Sequence, residues 1–176
     1  MPDEVRYPPQ RGLSCCPCCI LYCLAVLSDT TVTLCPRDVM DAILGAAWET
    51  YEAVRNRSGH TLLQQHEVLA ALYLPPSIAI RELYGTAQRE LASADAQSVF
   101  IGDLHTLLRE QSALVLTALD HTTCLVRAHG DLVAFDPLVA AVTRLRGAED
   151  VQRYVQEKYP GCKEMTISQL SVGGRW

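Results

Sequence analysis

The residues best placed for chemistry are cysteines that open an apolar segment. Residues 11–19 read RGLSCCPCC, and the residues that follow are almost all apolar. A cysteine at a helix N-terminus feels the partial positive charge of unpaired backbone N–H groups, which favours the nucleophilic thiolate. The same N–H groups can bind the oxyanion that develops on a carbonyl substrate, and the side-chain amide of Gln10 can assist them. Cys15 is therefore a candidate nucleophile.

The alternative is that these thiols are small core residues, because free cysteine is among the most buried residue types. This interpretation is favoured for Cys18, Cys19 and Cys23. For Cys15, at the start of the helix, the sequence leaves both interpretations open. Five of the eight cysteines lie between positions 15 and 23, where they make poor independent cross-links, so reduced thiols are expected.

A second group of polar residues flanks a predicted β-hairpin. Residues 120–138 read DHTTCLVRAHGDLVAFDPL, and His129-Gly130 between two apolar runs predicts a tight turn. With these two residues as the loop, His121 and Asp136 project from one face of the ribbon, and Leu138 lies opposite His121. An imidazole and a carboxylate that meet in this way activate a cysteine nucleophile. On periodicity alone, a solvated histidine beside an Asp-Pro turn is favoured instead.

Metal binding is a third possibility. The pairs Cys15/Cys18 and His60/His66 are of ligand types that a structural zinc uses. The usual zinc finger keeps its two pairs about 12–15 residues apart, whereas here the gap is far longer and the thiols open an apolar helix. Neither a P-loop nor a G-x-G-x-x-G motif is present. We therefore predict no metal ligand and no cofactor.

The hydrophobic pattern predicts helices first and a β-meander later, which is typical of an α+β fold. Helical periodicity covers residues 14–28, 36–56, 62–72, 102–111 and 149–159. Strand-like runs cover residues 77–83, 113–119, 122–126 and 132–135, with an edge strand at 165–172. The remaining predictions are an irregular entry arm over 1–13, a connector or short strand over 30–34 and a surface excursion over 85–101. Residues 14–176 are expected to form a single domain.

Composition narrows the function classes. The chain has 176 residues, a mass of 19.4 kDa and a formal net charge of −5, which argues against a nucleic-acid surface. The longest apolar stretch, residues 18–27, is far shorter than the roughly 20 residues of a membrane span. The first residues lack a basic region followed by an apolar one, so we expect the protein in the cytosol or nucleus.

The two reactive motifs, taken with their spacing, resemble the tegument deubiquitinase domain of herpesviruses. That family has a Gly-x-(Gln or Ser)-Cys stretch at the start of a buried helix, similar to Gly12-Leu13-Ser14-Cys15. Residues 37–44 resemble its Leu-Asp-x-Val-Leu helix, and residues 104–137 resemble its short helix and two strands ending in Phe-Asp-x-His. The resemblance covers roughly residues 10–170 and implies a papain-like fold. In this fold, N-terminal helices pack on a C-terminal antiparallel β-meander.

The resemblance also implies a Cys, Asp and His triad with a Gln in the oxyanion hole. It carries Cys15 over as nucleophile and Asp136 as orienting carboxylate, with Gln10 beside the oxyanion although closer to the cysteine than is usual. The family's His position is Leu138, whose side chain cannot accept a proton. The predicted hairpin offers His121 in its place, and the order Cys, His, Asp is similar to the common papain-like arrangement.

Two functions follow as expectations. One is a viral deubiquitinase-like cysteine protease that cleaves after the C-terminal Gly-Gly of ubiquitin or a ubiquitin-like protein. The other is a catalytically inactive pseudoenzyme of the same fold, retained as a binding or scaffold protein. The implied partners are ubiquitin or a ubiquitin-like protein, with other tegument or host proteins as further candidates and no nucleic acid or membrane. The implied locations are the virion tegument and the host cytoplasm or nucleus.

Overall fold

The structure, a computed structural model, describes residues 4–28, 33–88, 97–174 and 176. These residues form five α-helices and one eight-stranded sheet. The helices are α1 (Cys15–Ser28), α2 (Arg37–Ser58), α3 (Gln65–Ala71), α4 (Leu104–Leu107) and α5 (Ala148–Lys158). The strands are β1 (Glu4–Arg6), β2 (Ile78–Thr86), β3 (Ser98–Phe100), β4 (Ser112–Ala118), β5 (His121–Ala128), β6 (Asp131–Asp136), β7 (Ala141–Arg144) and β8 (Glu164–Val172).

The strands lie in the order β1-β7-β6-β5-β4-β8-β2-β3. Strands β4 to β7 are consecutive antiparallel neighbours, as the predicted meander requires. Helices α1, α2 and α3 cover one face of the sheet and share a core with it, while α4 and α5 pack on the other face around a second core. The α+β prediction is therefore confirmed. None of the helices within the described residues is long and apolar enough to cross a bilayer.

Helix α1 is the central element of the first core. Nearly all of its side chains are buried, because apolar residues and small thiols surround the whole helix rather than one stripe. Tyr22, in the middle of α1, packs against Phe135 of β6 with ring centroids 4.7 Å apart, and its hydroxyl donates to the carbonyl of Thr33 at 2.6 Å. These contacts fix the helix against the strands that carry the candidate site.

The hairpin between β5 and β6 has the predicted register. Ala128 pairs with Asp131, and the ladder continues to Cys124 opposite Phe135. The two loop residues, His129 and Gly130, have φ angles of 55° and 80°, the left-handed values of a type I′ turn. Strand twist favours this turn, so a two-residue loop fixes which side chains face each other.

Some predicted elements differ from the structure. The arm over residues 1–13 is not irregular throughout, because Glu4–Arg6 pairs with β7 as strand β1. The excursion over 85–101 contains β3, which pairs in parallel with β2. Strand β8 is not at an edge, since it lies between β4 and β2. The connector predicted over 30–34 falls largely outside the described residues.

Strand β8 is interior although it carries small polar residues. Ser168 and Ser171 lie three residues apart, so their side chains project from opposite faces of the sheet. Both serines are buried, at 1% exposure. Ser168 donates to Oε1 of Gln65 in α3, and β4 and β2 pair along the two edges of the strand. The prediction of an edge strand at residues 165–172 is therefore wrong.

Candidate active site

Cys15 is the first residue of α1 and is 9% exposed. Burial raises the pKa of its thiol, but hydrogen bonds to His121 and Thr122 outweigh burial, so the pKa lies below its usual value. The neighbouring thiols behave in the opposite way, because burial raises the pKa of Cys18 to about 12 and also raises that of Cys19. Within this part of α1, the thiol that ionises most easily is therefore Cys15.

His121 and Asp136 meet beside this thiol, as the hairpin register predicts. His121 is the first residue of β5 and Asp136 the last of β6, and Nε2 of the imidazole lies 3.1 Å from Oδ1 of the carboxylate. Their side chains are 18% and 4% exposed. Since Nε2 bonds to the carboxylate, Nδ1 is the ring nitrogen available to the Cys15 thiol. The imidazole therefore lies between the thiol and the carboxylate, with its hydrogen bond to the carboxylate.

The ionisation of the pair follows from these contacts. Burial lowers the pKa of His121, but its hydrogen bonds to Asp136 and Cys15 outweigh burial and raise the pKa to about 9. Burial raises the pKa of Asp136, but hydrogen bonds with His121 and Lys158 lower it to about 2. Near neutral pH the site therefore holds an imidazolium next to a carboxylate, which is the state that stabilises a thiolate.

Stability should depend on pH through His121. The pKa of His121 rises from about 6.5 in the unfolded chain to about 9 in the fold. The stability that its protonation contributes is therefore complete below about pH 6.5 and is lost as pH rises through about 9. We expect wild type to exceed His121→Gln in free energy of unfolding by roughly 2 kcal/mol at pH 6, with the difference disappearing by about pH 10. Urea unfolding at several pH values, under a reductant, measures this difference.

The same measurement on His66→Gln is the control, because His66 is an exposed histidine of α3. A difference between wild type and His121→Gln that stayed constant from pH 6 to pH 10 would contradict the ion pair. At acidic pH the dependence of stability on pH has the opposite sign, because it comes from Asp136. The contribution of Asp136 is present above about pH 4 and is lost as pH falls through about 2.

Gln10 connects the entry arm to both sides of the site. Its backbone N–H donates to the carbonyl of Pro137 at 3.2 Å, directly after Asp136. Its side-chain Nε2 donates to the carbonyl of Gly12 at 2.8 Å, and its Oε1 is buried without a hydrogen-bond partner among the described residues. The amide predicted to assist the oxyanion therefore lies in the turn that leads into Cys15, where the Gly12 carbonyl accepts one of its two N–H groups.

Two contacts to Asp136 are not predictable from the motifs. The backbone N–H of Leu138 donates to Oδ1 at 2.9 Å, while the side chain of Leu138 is 60% exposed. The ammonium of Lys158, at the end of α5, lies 2.6 Å from Oδ2. Lys158 has no sequence signal, because it lies on the last turn of a helix that is remote in sequence from the hairpin.

A cleft runs past Cys15 between the segment before α3 and the turn that joins β4 to β5. Leu119 and Asp120 form that turn with φ angles of 51° and 61°, and a left-handed conformation costs a non-glycine residue roughly 1–2 kcal/mol. Such strain persists where the surrounding structure imposes it, often at functional sites. The cleft is lined by Leu13, Cys15, Cys16, Leu62, Leu63, Gln64, Thr117, Ala118, Leu119, Asp120, Thr122 and Thr166.

In the part of the chain that the structure describes, the cysteines and histidines do not assemble into a zinc site. Within the described ranges, no group of three or more His, Cys, Asp or Glu side chains is arranged to hold a metal ion. The thiols of α1 instead lie in the core or, for Cys15, against His121.

The fold, but not the sequence, matches known proteins. The sequence matches no protein-family model and no curated protein. The ubiquitin-specific protease encoded by murine cytomegalovirus tegument protein M48, solved in complex with a ubiquitin-based suicide substrate, matches with a TM-score of 0.67 and 16% identity over 95% of this chain and 84% of that chain. The Pseudomonas avirulence protein AvrPphB matches with a TM-score of 0.53 and 11% identity over 94% of this chain and 97% of that chain.

The fold is papain-like. The expected architecture is thereby confirmed over nearly the whole chain, and at these identities the likeness is one of fold. The papain-like arrangement also explains how distant segments meet here. Helix α1 brings the thiol to one end of the sheet from one face, and the strands β5 and β6 bring the imidazole and the carboxylate to the same end.

Proposed function

We propose that this chain is a cysteine protease domain that hydrolyses the peptide or isopeptide bond after the C-terminal Gly-Gly of ubiquitin or a ubiquitin-like protein. The observation that carries the proposal is the arrangement of Cys15, His121 and Asp136, in which the imidazole is hydrogen-bonded to the carboxylate and lies close enough to the thiol to lower its pKa. The ubiquitin-specific protease among the proteins of similar fold supports the choice of substrate class.

The proposed reaction has two steps. The Cys15 thiolate attacks the carbonyl carbon of the terminal glycine, and the His121 imidazolium gives its proton to the departing amine, which leaves an acyl-enzyme. The neutral imidazole then takes a proton from water, whose oxygen attacks the thioester and releases the glycine carboxylate and the thiol. Asp136 orients the ring and stabilises its charged form throughout.

The start of α1 and Gln10 are proposed to stabilise the oxyanion. The unpaired N–H groups at the N-terminus of α1 lie beside the attacking sulfur and carry partial positive charge. Gln10 would contribute through the second N–H of its Nε2, because the bond to the Gly12 carbonyl uses one of the two. A hydrogen bond from this N–H to the oxyanion has a charged acceptor and is therefore stronger than a bond to a neutral carbonyl.

The cleft is proposed to hold the extended tail that precedes the scissile bond. Leu13, Leu62 and Leu119 are exposed apolar side chains on its walls, at 46%, 40% and 62% exposure. They would bury against an apolar residue of the tail, and the two glycines would then lie next to Cys15. The proposed setting is the virion tegument or the infected host cell, and the tegument origin of the M48 protein supports the former.

A ubiquitin probe with a C-terminal propargyl group tests the function directly. Wild-type protein should form one covalent adduct, seen as a mass increase of one ubiquitin, and Cys15→Ala should form none. Cys162→Ala is the matched control, because Cys162 is the partly exposed cysteine among the described residues and the variant should label as wild type does. Absence of an adduct with folded wild type, or an adduct in Cys15→Ala, would refute the proposed nucleophile.

The second candidate is a pseudoenzyme that binds ubiquitin without cleaving it. The observation in its favour is Leu138, which occupies the expected histidine position with an exposed side chain and contributes a backbone N–H to Asp136. Calorimetric binding of ubiquitin by wild-type protein that forms no adduct would support this function and exclude the protease.

A further inference from the structure

The carboxylate of Asp136 is shared between two cationic groups. Its Oδ1 accepts from Nε2 of His121 at 3.1 Å and from the N–H of Leu138 at 2.9 Å, while its Oδ2 accepts from Nζ of Lys158 at 2.6 Å. The carboxylate is 4% exposed, so water screens these charges weakly. The shortest of the three contacts belongs to the residue that the proposed reaction does not use.

The position of Lys158 is defined by the end of α5. Its ammonium lies 5.7 Å from the centre of the Tyr154 ring, one turn earlier in the helix. The next residue, Tyr159, donates its hydroxyl to the carbonyl of Leu116 at 2.8 Å and accepts the N–H of Thr123 at 3.0 Å. These bonds hold the end of the helix against β4 and β5, so the ammonium is aimed at Asp136 by packed structure rather than by a free side chain.

We propose that Lys158 is a positioning residue of the site, which acts on His121 through the carboxylate that the two share. The inference rests on the proposed function for its catalytic meaning. A thiolate, an imidazolium, a carboxylate and an ammonium together carry no net charge. The ammonium therefore prevents the buried carboxylate from overstabilising the imidazolium, which must release its proton to the leaving amine.

Removal of the ammonium should strengthen the hold of His121 on its proton. The charged and titratable groups that face Asp136 are His121 from β5, with Cys15 of α1 behind it, and Tyr154, Lys158 and Tyr159 from α5. In a variant that lacks Lys158, no ammonium charge opposes the protonation of the His121 imidazole. The N–H of Leu138 still holds Oδ1, so we expect the orientation of the carboxylate to survive and the change of charge to dominate.

The test is an NMR titration of the Cε1 carbon of His121, assigned by its absence in His121→Gln. The titration midpoint should rise by about 0.5–1 pH unit in Lys158→Met and Lys158→Gln, and should stay within roughly 0.2 unit of wild type in Lys158→Arg. The control is Lys163→Met, because Lys163 is the chain's other lysine and is exposed. It removes the same charge away from the site and should leave the midpoint unchanged.

The readout is the proton on His121 rather than hydrolysis, so the titration is informative even if the domain proves inactive. In an active domain, the alkaline limb of the pH profile of kcat/KM should move in parallel with the midpoint. An unchanged midpoint in Lys158→Met, with only a loss of stability, would show a purely structural residue and overturn the proposal. Failure of both neutral variants to fold would assign Lys158 to folding alone and overturn it equally.

Discussion

Replacement of His121 by alanine is expected to lower kcat/KM for ubiquitin-AMC by about 10³-fold. The variant loses the group that protonates the leaving amine and activates water, and it also loses the hydrogen bond that lowers the pKa of Cys15. Both losses affect the chemical step, so we expect the decrease to appear mainly in kcat. Steady-state kinetics with ubiquitin-AMC, at pH 7.5 and under a reductant, measure the effect.

His66→Ala is the matched control for this experiment, since it removes an exposed imidazole from α3 and should retain wild-type rates. Circular dichroism of His121→Ala establishes that the loss of rate is not a loss of fold. Activity within a few-fold of wild type in folded His121→Ala would mean that another group accepts the proton. Among the described residues, His121 is the imidazole that bonds to Asp136 and influences the pKa of Cys15, so such a result would remove the basis of the proposed mechanism.

The juxtaposition of His121 and Asp136 was predictable because it follows from a local rule. A two-residue loop at His129-Gly130 fixes the register of the hairpin, and the register fixes which side chains share a face. The same logic applies to Cys15, because an apolar helix without a polar stripe must be buried, and its first residue then lies at one end of the sheet. Short-range pattern therefore placed these side chains, although periodicity alone favoured a solvated histidine and left the role of Cys15 open.

The contacts of Lys158 and the place of β8 were not predictable, because each depends on pairing between segments far apart in the chain. The packing of α5 on the sheet decides that the end of this helix reaches Asp136. In the sequence alone, a lysine on the last turn of a helix is interpreted as a solvated charge. Strand β8 pairs with β4 and β2, and nothing in its own sequence indicates either pairing. Register and periodicity constrain neighbours along the chain, whereas these contacts arise from tertiary packing.

Gln65 illustrates the same limit and carries the second large expected effect. Its side chain is 2% exposed, and its Nε2 donates to the carbonyl of Val115 at 3.0 Å, to Oγ1 of Thr117 at 2.7 Å and to the carbonyl of Thr166 at 3.2 Å. Its Oε1 accepts from Oγ of Ser168 at 2.5 Å. One glutamine therefore joins α3 to both β4 and β8, with two N–H groups shared among three acceptors.

Gln65→Ala is expected to lower the free energy of unfolding by about 3 kcal/mol. The variant loses several hydrogen bonds at roughly 1 kcal/mol each and leaves the buried hydroxyl of Ser168 without its acceptor. Gln65→Leu should be nearly as unstable, because it restores volume but not hydrogen bonds. Urea unfolding of both variants measures these losses, and Gln152→Ala on the exposed face of α5 is the control.

Gln65→Ala should raise KM for ubiquitin-AMC more than it lowers kcat. The segment directly before α3, including Leu62 and Gln64, forms one wall of the cleft, whereas Cys15 and His121 are held by α1 and β5. Loosening α3 therefore displaces the wall that contacts the tail of the substrate and leaves the reacting groups in place. A Gln65→Leu variant with wild-type stability would show that packing alone secures α3. A proportionate fall in kcat without a change in KM would place the damage at the reacting groups instead.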